Sequence, residues 1–167
     1  MEATMEASES NEPMGQDFIQ ERIPHRPPFL WLDRILELDE TTIRAEKLLP
    51  ADLEVFQGHY PDYPIMPGVL LCEAVFQAGA LLISETLRGE QKIKGVPVLT
   101  RILGAKFKRE VGPGDTVEIQ AGLKERLGPA WFMKGSVRIK GKMAVQVEFA
   151  CALKEDEQGR VHGFSSP

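Results

Sequence analysis

The chain has 167 residues, 43% hydrophobic and 27% charged, with a net charge of -5 and a pI near 5.3. That length suits one domain with a full core, and the acidic balance excludes a general nucleic-acid binder, which needs a basic field to meet phosphates. Cys72 and Cys151 each lie in an apolar run and read as buried free thiols, while His25, His59 and His162 are too scattered for metal-ligand spacing.

Residues 1–17 are acidic and poor in side chains that pack, so they are expected to form a disordered tail; lacking an apolar core, they do not read as a signal peptide. A single domain is expected over residues 18–155, with a second loose tail over 156–167. The stretch IPHRPPF, residues 23–29, is too rich in proline for regular structure and reads as an ordered loop or a single helical turn. WLDRILEL fits strand or helix, and the β-branched, partly alternating TTIRAEKLL after it favours a pair of strands.

Next comes FQGHYPDYPIMPGVLLCEAVFQ, a proline-punctuated loop running into a greasy segment. Pro67 fits the first turn of a helix, where its missing N–H costs nothing. The helix is predicted from Gly68 to about Leu87, with Gly89 as its C-terminal cap. Its first four turns are apolar on every side, the pattern of a helix surrounded by protein. The apolar run 69–83 is too short for a membrane span and contains Glu73 and Gln77, so no membrane insertion is expected.

Beyond residue 95 the pattern changes to alternation. Val117, Ile119, Ala121 and Leu123 form one apolar face, Met133, Val137 and Ile139 another, and Val145, Val147, Phe149, Cys151 and Leu153 a third. Lys140-Gly141 reads as a tight hairpin between the last two. With VPVLTRILGAKFKREV this makes at least four antiparallel strands. One wholly apolar helix and one half-buried sheet imply an α+β domain, the sheet wrapped around the helix.

Glu73 and Gln77 are the only strongly polar residues between 69 and 83 and, four apart, share a helix face. A buried carboxylate is expensive unless partnered, and burial favours its protonated, proton-donating form. Position alone leaves two options, a site or a glutamate on the one face that reaches solvent or a subunit boundary. His59 sits between Gly58 and Tyr60, in a loop stiffened by Pro61, Pro64 and Pro67. Gly68 lies where the free N–H groups of a helix start favour negative charge. Base, acid and oxyanion site then come from one segment. This set suits removal of a proton α to a thioester carbonyl with loss of a β-hydroxyl, or the reverse hydration.

HRPPFLWLDRILE, FQGHYPDYPIMPGVLLCEAVFQAGA and AKFKREVGPGDTVEI, in that order, closely resemble the FabZ-type (3R)-hydroxyacyl-acyl-carrier-protein dehydratases over about residues 21–153. The resemblance implies the hot-dog fold, a cytoplasmic enzyme of fatty-acid synthesis without cofactor, and acyl carrier protein as partner. It implies His59 and Glu73 as the catalytic pair, Gly68 as the backbone donor to the thioester carbonyl, and Gln77 as the residue orienting the acid. It also implies homodimers whose sites take His59 and Glu73 from different subunits, often three dimers to a hexamer. Glu73, where the FabA type usually has aspartate, favours the FabZ type. Val98 and Leu99 stand where many members carry an aromatic gate.

His25 and Arg26 read as a structural loop packing beside the site mouth, in preference to a direct part in catalysis. Lys106, Lys108 and Arg109, with Lys92 and Lys94, form a basic strip that is either a solvated strand face or the surface that meets the acidic carrier protein. Phe76, Leu81 and Leu82 fit core and acyl-tunnel wall equally well. A hot-dog thioesterase and a non-catalytic acyl-binding module are the competing readings.

Overall fold

The structure, a computed structural model, describes residues 12–90 and 95–154. Lys92, Lys94, His162, most of the amino-terminal tail and the tail at 156–167 lie outside the described residues.

A short helix, α1 (Gln16–Gln20), opens the described chain. Met14 exchanges two backbone hydrogen bonds with Ile35, and the Gln16 amide donates to the Leu32 carbonyl at 2.9 Å. With Ile19 fully buried, these bonds attach residues that composition alone assigns to the tail. Strands β1 (Arg34–Leu38) and β2 (Thr42–Leu48) follow as the expected antiparallel pair. The Asp39 carboxylate accepts from the N–H and hydroxyl groups of both Thr41 and Thr42 in the turn between them, which holds its pKa down at about 2.

Helix α2 (Glu54–Gly58) is short, and α3 (Gly68–Gly89) is the predicted central helix. Its ends differ in detail from expectation. Pro67 stands one place earlier, as the N-cap, and Gly89 is the last helical residue rather than a left-handed cap. Glu90 follows with φ -100° and bonds its N–H to the Leu87 carbonyl, so no glycine is needed to turn the chain. By length and composition α3 could cross a bilayer, but 67% of its apolar window is buried inside the protein. It is a core helix.

Four strands complete the sheet: β3 (Val96–Phe107), β4 (Thr116–Leu127), β5 (Ala130–Ile139) and β6 (Lys142–Lys154). All neighbours are antiparallel, in the order β1-β2-β4-β5-β6-β3. Lys140 and Gly141 take positive φ of 48° and 75°, as a two-residue hairpin whose twist matches its strands requires.

The inward face of β5 reads Trp131, Met133, Gly135, Val137, with a glycine where alternation calls for a side chain. Val75 of α3 fills that gap, and a Cβ on Gly135 would collide with its Cγ1 and with the Gln120 carbonyl. Gly79 repeats the device: a Cβ there would lie 2.8 Å from Phe149 Cζ. These two glycines let helix and sheet approach closely. Gly135→Ala should therefore destabilise the fold by about 1–3 kcal/mol, the usual cost of overpacking, as a lower urea midpoint.

Candidate active site

The loop between α2 and α3 is fastened along its length. His59 bonds its N–H to Val55 O, Tyr63 to Tyr60 O, and Met66 to Val111 O at 2.7 Å. Tyr63 adds a hydroxyl bond of 2.6 Å to Glu110, and Tyr60 takes a positive φ of 56° while its ring lies against His59. The imidazole itself is anchored, with Nδ1 2.7 Å from the Ile65 carbonyl oxygen. A carbonyl can only accept, so Nδ1 carries the hydrogen of the neutral ring. The Nε2 lone pair is left free. His59 is thus held in the tautomer that a general base needs.

Glu73 lies one and a half turns into α3, with 22% of its side chain exposed. It receives a 2.9 Å hydrogen bond on Oε1 from Nε2 of Gln77. Gln77 is fully buried, and its amide is satisfied at both ends. Oε1 accepts from the Trp31 N–H at 2.8 Å, while Nε2 also donates to the Phe29 carbonyl at 2.9 Å. These bonds fix which way the amide points, and so which oxygen of Glu73 is bound. Within one chain His59 and Glu73 share no hydrogen bond or ion pair, since the Glu73 carboxylate faces Gln77 and His25.

At the start of α3 the N–H groups of Leu70 and Leu71 both reach back to Pro67 O. Gly68 and Val69, just before them in the same first turn, find no acceptor in the helix, and the cap supplies no side chain. The Phe107 ring rests on Gly68, 2.6 Å from where a Cβ would stand. Only glycine leaves both the N–H and that ring in place.

The basic strip lies elsewhere. Lys106 lines a groove on the outer face of the sheet with Lys134, Arg138 and Glu148, whereas Phe107 next to it turns inward to Gly68. Lys108 and Arg109 continue from the end of β3, exposed, with their N–H groups on the Ala144 carbonyl. Cys72 and Cys151 are buried free thiols. Burial raises both pKa values, that of Cys151 to about 12 with help from the charge of Glu73. Phe76 packs against Phe149 with ring centroids 4.8 Å apart, and Leu81 and Leu82 are buried, so all three belong to the core.

One neighbour of Glu73 escaped the sequence reading. His25, assigned to a loop beside the mouth, places Nε2 3.6 Å from Oε1 of Glu73. The available signal was a histidine between prolines with an arginine after it. Nothing in the sequence gives the distance between that loop and α3.

Residues 23–148 match the FabA-like domain family. The chain is 38% identical to the 3-hydroxyacyl-acyl-carrier-protein dehydratase FabZ of Anaeromyxobacter dehalogenans (strain 2CP-C) over 141 residues, 84% of this chain and 90% of the relative. It is 40% identical to the enzyme of the same name from Rickettsia felis over 138 residues, 82% of this chain and 94% of the relative. Among solved structures, the dehydratase heterocomplex ApeI:P from Xenorhabdus doucetiae superposes with a TM-score of 0.64 at 14% identity, covering 84% of this chain and 92% of that one. The PaaI protein of E. coli gives 0.57 at 15% identity, covering 72% and 78%. These two likenesses show the shared fold.

Replacing Gln77 by leucine strands the Trp31 N–H and the Phe29 carbonyl. Gln77→Leu should therefore cost about 2–4 kcal/mol of stability, read by denaturant unfolding, and should lower activity as Glu73 loses its anchor.

Proposed function

The chain belongs to the FabA-like family, and from that premise we propose that it removes water from 3-hydroxyacyl thioesters of acyl carrier protein in fatty-acid biosynthesis. The resemblance to FabZ dehydratases at 38% and 40% identity over most of the chain supports this activity. The observation that supports the chemistry is the Nδ1 bond of His59 to Ile65, which leaves the Nε2 lone pair available to serve as the base.

In this reading His59 Nε2 takes the α-proton of the (3R)-hydroxyacyl group. The Gly68 N–H stabilises the negative charge that develops on the thioester oxygen. Glu73 gives its proton to the β-hydroxyl, which leaves as water, and the trans-2-enoyl thioester remains. His59 ends protonated and Glu73 ionised; exchange with solvent restores both. The elimination is redox-neutral and both proton carriers are side chains, so the scheme uses no cofactor beyond the substrate's own phosphopantetheine arm.

His59 and Glu73 make no bond within one chain, and β3 supports a reason. This twelve-residue strand pairs on one side only, with β6, and leaves Val96, Val98, Leu99, Ile102, Leu103 and Phe107 exposed. A long apolar edge of this kind calls for a partner. Pairing through β3 would join two sheets and set His59 of one subunit beside Glu73 of the other, with three such dimers making a hexamer. Lys106, Lys108 and Arg109 are proposed to meet the acidic carrier protein. A domain extended at its start to take in Met14 and Gln16, and a cytoplasmic location, complete the proposal.

A crotonoyl thioester tests the activity. Hydration removes the enone absorbance and leaves the thioester whole; release of free thiol would instead show a thioesterase, and binding without turnover a non-catalytic module. Mixed dimers test the sharing. His59→Ala and Glu73→Ala chains, each inactive alone, should regain one intact site of two when combined, and persistent inactivity would reject the cross-subunit assignment.

A further inference from the structure

The Glu73 carboxylate has a neighbour that the elimination scheme leaves unused. His25 approaches Oε1 through Nε2 at 3.6 Å, with only 26% of its side chain exposed. The loop that carries it is strongly braced. Arg26 donates to the carbonyls of Ile23, His25 and Gln20 at 2.8–2.9 Å, and the Phe29 N–H closes a turn onto Arg26 O. Gln77 then binds the next residues of the same strip at Phe29 and Trp31 while holding Glu73 on its other side. One buried amide therefore sets both members of the His25–Glu73 pair.

The ring's own environment restricts its state. Nδ1 of His25 is buried and meets no hydrogen-bond partner. Protonating the ring would place an N–H at Nδ1 with nothing to accept it, at the cost of an unsatisfied buried donor. Burial accordingly lowers the His25 pKa, against the pull of Glu73 and in the same direction as the Arg26 charge. The neutral ring with its hydrogen on Nε2 offers a single donor to Glu73.

Resting on the dehydratase reading above, we propose that His25 is a positioning residue: its neutral Nε2–H closes on Oε1 of Glu73 when substrate fills the site, leaving the transferable proton on Oε2. At 3.6 Å the contact is longer than a hydrogen bond, and catalytic bonds of unliganded sites commonly tighten on occupation. With Gln77 and His25 both donating to Oε1, that oxygen cannot also present a proton outward. Oε2 becomes the acid. Neutrality matters here, because a cation at the same place would favour the carboxylate and remove the proton the reaction needs. Cys151 on β6 also feels Glu73, and at a pKa of about 12 it stays a neutral thiol. Arg26 is the charge set against His25. In the proposed dimer His59 of the partner subunit completes the set.

His25→Leu and His25→Gln separate positioning from packing. His25→Leu should lose roughly 10–100-fold in kcat with KM changed by less than about threefold, the pattern of a misaligned acid. His25→Gln returns an N–H near the same place and should recover most of that loss. Wild-type kcat in His25→Leu, or an equal loss in both variants, would overturn the proposal. A second measurement needs no turnover. The His25 imidazole is titrated by NMR in the wild-type protein and in Glu73→Gln, where replacing its carboxyl partner by an amide should move its midpoint. An unmoved midpoint would reject the pairing. Failure of the wild-type protein to convert any acyl thioester would instead reject the dehydratase reading, and the NMR titration would still decide whether the pair exists.

Discussion

Everything at this site hangs on one buried amide. Gln77 has no exposed surface, so each of its polar atoms must find a partner inside the protein or destabilise it. The partners come from two directions: Glu73 on the same helix, and the backbone of Phe29 and Trp31 on the strip that leads into β1. A helix otherwise greasy all round is thereby pinned in rotation. The Glu73 carboxylate is aimed, and the loop bearing His25 is drawn alongside.

That arrangement depends in turn on how closely the helix lies on the sheet. Gly135 lets Val75 into the inward face of β5, and Gly79 lets Phe149 up against the helix backbone. Close packing on this side positions the first half of α3, from the free N–H groups at Gly68 to the buried third turn. The loop that carries His59 is fixed by other means, through backbone bonds at His59, Tyr63 and Met66 and a ring anchored to Ile65. Glu73 and His59 are each immobilised, by independent sets of bonds, on separate pieces of the same chain.

Much of this could be read from residue order because the signals are local. The i, i+4 spacing of Glu73 and Gln77 predicts their 2.9 Å bond, and alternation predicts strands β4 to β6 with their buried faces. The resemblance carried by the GHYPDYPIMPG string added the family. What stayed hidden is what depends on distance through space. His25 reaches Glu73 only because the Gln77 amide spans 46 and 48 residues of sequence to hold the intervening strip. Strand β3 is apolar enough to read as a core strand, and only its place at the end of the sheet order reveals an open edge. Gly89 looked like a cap because composition shows the residue and not its φ.

The two cysteines bear on a hazard built into the chemistry. A trans-2-enoyl thioester is a conjugate acceptor, and thiolates add to such carbons readily. Cys72 directly precedes Glu73 in the chain, and Cys151 lies close enough to sense the charge of Glu73. With its pKa raised to about 12 by burial, Cys151 stays a neutral thiol at neutral pH. The burial that builds the core therefore also disarms the nucleophiles beside the carboxylate. An enzyme that makes an electrophile beside its own sulfur is kept from alkylating itself.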